Sequence, residues 1–170
     1  MRVRGARLGA LPSLTVFVWL WALQASGQLG DLQGRFDSEP NAVHKAKMLE
    51  KLGDAQFAEA RRVEKAGDNS AVGLILEKYR DNVHAALEAL KKQHPNAEKQ
   101  PNGYRQLEIH VRKGIRETGE SLLVAPEPFK PPLEIVRQDL IAMDDELLKL
   151  LFPPRPLKEK TPAQPSEKQP

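Results

Sequence analysis

The sequence predicts an all-α protein: a small antiparallel up-down bundle of about four helices, followed by a disordered proline-rich tail. Three observations carry that expectation. Between residues 40 and 152 apolar side chains recur at steps of three and four. Glycine and proline punctuate those rows at residues 67–68, 95–103 and 125–132. No stretch has the alternating, β-branched pattern of a strand.

The N-terminus comes first in the chain and changes how the rest is counted. Arg2, Arg4 and Arg7 form a basic head, Leu8 to Leu23 is an apolar run of 16 residues, and Ala25-Ser26-Gly27 supplies small residues for cleavage. Residues 1–27 therefore read as a cleavable signal peptide, with Gln28 opening the mature chain. A membrane-spanning helix needs roughly 20 apolar residues. This run is shorter, contains Pro12 and is closed by Gln24 and Ser26. The expectation is export to the periplasm or the exterior, with no stable membrane anchor after cleavage.

Removing the signal changes the charge. The full chain holds 26 Lys and Arg against 23 Asp and Glu, a net charge of +3. Residues 1–27 carry three of the bases and no acid, so residues 28–170 are neutral overall. The basic isoelectric point thus belongs to the signal, and nucleic acid is not an expected partner. The sequence has no cysteine. Packing alone must hold the fold, and thiol catalysis, zinc–thiolate sites and iron–sulfur clusters are excluded.

Residues 28–39 (QLGDLQGRFDSE) read as a short polar lead-in. Ser38 or Glu39 can cap a first helix, with Pro40 in its first turn, where a missing N–H costs nothing. Residues 41–66 are rich in good helix formers, with apolar positions spread broadly around the axis and Gly53 among them. Gly67-Asp68 ends that segment. A second helix, capped by Asp68 or Ser70, carries the stripe Val72, Ile75, Tyr79, Val83, Ala86 and Leu90. It stops at His94, because the residue before Pro95 is pushed out of the helical region.

A third stripe runs through Tyr104, Leu107, Val111, Ile115, Thr118 and Leu122. Residues 125–132, with four prolines in eight positions, read as a stiff extended linker. Pro131-Pro132 then opens a fourth helix with the stripe Leu133, Val136, Leu140, Met143, Leu147 and Leu151. The helical domain therefore spans residues 40–152. Residues 153–170, rich in proline and lysine, offer almost nothing to bury and read as a disordered tail.

Chemistry-bearing patterns are few. Glu77, Asp81, His84 and Glu88 fall on one helix face, and Asp81-x-x-His84 resembles half of the carboxylate–histidine pattern of di-iron bundles. The second acid-x-x-His pair of such sites is missing, so the row reads first as a solvated face stabilised by neighbouring charges. Asp81, His84 and Glu88 are the metal candidates if a ligand site exists; no cofactor is expected. His110, Arg112, Lys113 and Arg116, with Arg105, form a basic cluster that reads as an ordinary charged face. Its functional alternatives are an anion or phospholipid headgroup contact, or a landing site for an acidic partner. Gly114 and Gly119 suggest close helix packing. No nucleophile elbow, zinc-protease motif or phosphate loop is present.

Leu49-x-x-Leu52-Gly53, followed by Ala55 and Phe57, resembles the opening of a tetratricopeptide helix pair over about ten residues. The aromatic falls one position late, Ala60 stands where a turn glycine is expected, and no period of about 34 residues follows. That resemblance implies antiparallel helix pairs and, as a remote alternative, a scaffold of that kind. The expected function is a non-enzymatic module, exported, that binds an unidentified protein partner or serves a structural role. The alternative is a metal- or small-ligand-binding bundle using the Asp81, His84 and Glu88 face.

Overall fold

The computed structural model describes residues 16–154, with side chains from Gly27 onward. The described residues form five α-helices: α1 (Val16–Ser38), α2 (Ala42–Lys65), α3 (Asn69–Gln93), α4 (Asn102–Val124) and α5 (Lys130–Leu151). A single 3-10 turn, Glu127–Phe129, precedes α5. The all-helical class follows from the sequence as expected, with one more helix than the apolar stripes suggested. The first part of the expected signal, residues 1–15, and the tail from residue 155 lie outside the described residues. Among the described residues no helix is long and apolar enough to cross a membrane.

Helix boundaries sit where local chemistry closes the orphan backbone groups. Asn41 caps α2, its side-chain oxygen accepting the N–H of His44 at 2.9 Å. Ser38 and Glu39 do not fill that role. Ser38 turns its hydroxyl back onto the Gly34 carbonyl at the end of α1, and Pro40 remains in the connection. Gly67 ends the α2–α3 turn at φ +80°, a conformation that glycine adopts without steric cost. Asp68 caps α3 by accepting the N–H of Ala71. The proline-rich linker is more structured than an extended strut: it winds through the 3-10 turn into α5, whose first turn accommodates Pro131 and Pro132.

Chain direction alternates from α2 to α5, giving two antiparallel hairpins, α2–α3 and α4–α5. They lie side by side. Ion pairs of Asp54 with Lys113 and of Arg61 with Glu117 set α2 parallel to α4. Those of Arg80 with Asp139 and of Lys91 with Glu146 set α3 parallel to α5. The core fills the space between the four helices with Leu49, Leu52, Phe57, Leu76, Tyr79, Leu107 and Leu140, all essentially removed from water.

Residues 28–38 are not a polar lead-in. They complete α1, which packs on α2 and the core through Leu29, Leu32 and Phe36, again spaced by three and four. Phe36 is 1% exposed, and the Lys45 ammonium sits 4.9 Å from its ring centre. Gln33 adds a polar tie, exchanging hydrogen bonds with the buried Asn82 amide at 3.0 and 2.9 Å. Gly30 and Gly34, together with the polar residues between the apolar ones, mask this stripe in the sequence.

Truncating Phe36 to alanine should cost about 3–5 kcal/mol, as for other fully buried aromatics. Urea unfolding of the chain from Gln28 onward measures it. A loss under about 1 kcal/mol would mean that residues 28–38 are a loosely attached appendage.

Candidate functional site

Tyr79 stands at the centre of the bundle because the α3 stripe aims it inward at the level where α2 and α4 both carry glycine. A β-carbon at Gly53 would fall well inside contact distance of the His110 and Tyr79 rings, and one at Gly114 would strike the Tyr79 ring and hydroxyl. Glycine inside a helix is unfavourable by about 1 kcal/mol relative to alanine. Here it provides the space that the two rings occupy. Phe57 completes the cluster, its ring centre 4.6 Å from that of Tyr79 and stacked at 5.9 Å on His110.

A chain of polar contacts runs outward from this point. The Tyr79 hydroxyl donates to the His110 carbonyl at 2.9 Å and lies 3.0 Å from His110 Nδ1. His110 Nε2 lies 3.3 Å from Asp54 Oδ1, and Lys113 Nζ donates to the same oxygen at 2.6 Å. Nε2 faces a carboxylate, which only accepts. The neutral ring therefore carries its proton on Nε2, and Nδ1 is a second acceptor beside the carbonyl for the single Tyr79 proton.

Burial sets the charge states. It raises the Tyr79 phenol well above its ordinary value, with Asp54 and Glu117 adding to the effect, so the hydroxyl stays protonated. Burial also lowers His110 below 6.5, against the opposing hydrogen bond and charge of Asp54. At Asp54 burial pulls upward, but hydrogen bonds from Lys113 and His110 outweigh it and leave the carboxyl below its usual value. The result is a neutral tyrosine and histidine inside and a carboxylate–ammonium pair at the rim.

The rim opens on a trough between α2 and α4. Asp54, His110 and Lys113 line one cavity of about 550 Å³ together with Glu50, Ile109 and Arg116. Tyr79 is sealed beneath them, and its hydroxyl proton is engaged inside the cluster. Chemically the arrangement locks three helices together and presents a charged, concave surface to solvent.

The residues singled out in the sequence divide differently. Asp81, His84 and Glu88 do share an exposed face of α3, but cations from the same helix occupy two of them. Arg80 holds Asp81 at 2.9 Å and reaches Asp139, and Lys91 holds Glu88 at 2.7 Å and reaches Glu146. These pairs stitch α3 to α5. Among the described residues no three His, Asp or Glu side chains converge as a metal ion requires. The basic cluster on α4 also splits. His110 enters the core, Lys113 joins Asp54, and Arg112 pairs with Glu108 and Asp144; Arg105 and Arg116 point outward.

Sequence reasoning missed the Tyr79–His110–Asp54 chain. Its members lie on three helices, and the one local signal was the pair of mid-helix glycines, Gly53 and Gly114. Comparison with protein-family models, curated proteins and solved structures gives no match, so geometry is the guide to function.

Gly53→Ala and Gly114→Ala should each destabilise the fold by about 1–3 kcal/mol through overpacking, despite alanine's better helix propensity. Gly73→Ala, whose β-carbon meets nothing within 4 Å, should instead be neutral or stabilising by up to about 1 kcal/mol. Thermal melts of the three variants compare them, and similar effects at all three positions would contradict the cradle.

His110 also makes stability pH-dependent. Its folded value lies below the ordinary 6.5 of an unfolded chain, so the contribution is complete above that value. It is lost as pH falls toward the lower folded value. The melting temperature should drop between about pH 7.5 and pH 5, and His110→Gln should flatten that slope. Parallel slopes in the two proteins would place the dependence elsewhere.

Proposed function

We propose that the chain is exported through a signal peptide at residues 1–27 and acts as a non-enzymatic module that binds a protein partner on its outer helix faces. The observation that carries this reading is the outward row of α4. Arg105, Ile109, Arg112, Arg116 and Leu123 fall along one side of the helix, with Ile109 67% and Leu123 84% exposed. Single exposed apolar residues are common. Here five of the six large apolar side chains exposed among the described residues lie on α4, on α5 or directly after it: Ile109, Leu123, Val124, Ile135 and Phe152. Apolar groups rimmed by charge, on helices already fully packed on their inner sides, suit partner recognition.

The buried polar chain supports the same reading, because its groups serve the packing of α2, α3 and α4. Charged groups on α3 and α5 likewise engage one another. Export is supported by the basic head, apolar run and small residues at 25–27. Cleavage after Gly27 would retain Leu29, Leu32 and Phe36, the α1 side chains that pack on the bundle.

Affinity capture with the chain from Gln28 onward, from its native envelope or secreted fraction, should recover a stoichiometric protein partner. Leu123→Glu, which leaves the core intact, should reduce the yield roughly tenfold if the α4 row is the contact. Recovery of no protein at stoichiometric level would sink the module reading. N-terminal sequencing of the exported protein should begin at Gln28; retention of residues 1–27 would refute cleavage.

A further inference from the structure

The trough between α2 and α4 extends beyond the His110 rim. A second cavity of about 430 Å³, lined by Val43, His44, Lys47, Asn102, Arg105 and Gln106, meets the first at Gln106. Because α2 and α4 run parallel, the two form one channel along the seam. From Asn102 to Arg116 it is about 21 Å long at 1.5 Å per residue, the length of about 14 residues of helix. Val43 and Ile109 give it apolar walls.

Its charges are unevenly compensated. Asp54 is neutralised by Lys113, and Glu108 by Arg112. Among the described residues lining the channel, Lys47, Arg105 and Arg116 have no ion pair, and Glu50 is the one carboxylate without one. The unpaired cations stand on both walls, Lys47 on α2 and Arg105 and Arg116 on α4, with exposed Ile109 between the two arginines.

We propose that this channel is the docking site for an acidic, amphipathic helical segment of a partner protein; the proposal rests on the interaction-module reading. The partner's carboxylates meet Lys47, Arg105 and Arg116, its apolar row packs on Val43 and Ile109, and one basic residue opposite Glu50 fixes register. The shape argues against a lipid surface, since a planar anionic sheet cannot follow a concave seam. Nor does it fit the chain's own C-terminal segment, residues 155–170, whose four bases outnumber two acids.

The test is panning of a phage-displayed random library of peptides about 15 residues long against the chain from Gln28 onward. Arg105→Glu/Arg116→Glu serves for counter-selection, and Lys78→Glu on the opposite side serves as a control. Circular dichroism first establishes that each variant folds, as expected for exposed positions. Enriched peptides should carry a clear excess of Asp and Glu with apolar residues at helical spacing. In fluorescence anisotropy they should lose about tenfold or more in affinity on the double variant and none on Lys78→Glu. Raising salt from about 0.05 to 0.5 M should weaken binding. No enrichment, enrichment without acidic bias, or equal binding to the double variant would overturn the proposal. So would binding to phosphatidylglycerol vesicles in place of the peptides. A native partner that survives Arg105→Glu/Arg116→Glu but is lost with Leu123→Glu would leave the module reading standing and remove the channel from it.

Discussion

The packing of Tyr79 between Gly53 and Gly114 is the constraint on which the rest of the bundle depends. A large ring at the centre of four helices can fit only where two backbones lack a β-carbon. Its hydroxyl, with no access to water, then needs an acceptor, and the His110 carbonyl supplies it. His110 fills the remaining space beside Gly53. These contacts bind α2, α3 and α4 at one level, and the seam between α2 and α4 takes its spacing from them.

Two buried polar arrangements share this logic. At the His110 rim, burial and Asp54 act in opposite senses on the imidazole, and burial prevails. Between α1, α2 and α3, Asn82 exchanges hydrogen bonds with Gln33 and approaches Gln56 at 3.5 Å. Each set satisfies polar atoms that would otherwise cost about 1–3 kcal/mol apiece when buried. Each also fixes register, since a helix sliding by one residue would break every bond in it. With no disulfide available, such register locks and the aliphatic core must together specify one packing.

The candidate sites illustrate what a sequence exposes and what it hides. Asp81, His84 and Glu88 stand out in one dimension because they share a helical face, yet Arg80 and Lys91 stand beside them and carry them into the α3–α5 seam. Tyr79, His110 and Asp54 are separated by 25 residues or more and give no local pattern. The α4 cluster of His110, Arg112, Lys113 and Arg116 looked uniform in sequence. Three-dimensional packing sorts it into a core residue, two cations held in ion pairs and one arginine without an ion pair.

Helical class, the alternation of chain direction and the positions of α3 and α4 were legible in the sequence. A stripe at steps of three and four reports burial directly, and glycine and proline stop a helix through their own backbone geometry. The role of residues 28–38 was not, because Leu29, Leu32 and Phe36 reveal a stripe only once a receiving surface exists on α2 and the core. Nor was the side-by-side placement of the hairpins. Amphipathic helices specify that they pack; pairing depends on which side chains interlock. Tyr79 with its two glycines, and the ion pairs joining α2 to α4 and α3 to α5, made that choice. The channel exists for the same reason: it is a property of two helices held parallel, and neither helix encodes it alone.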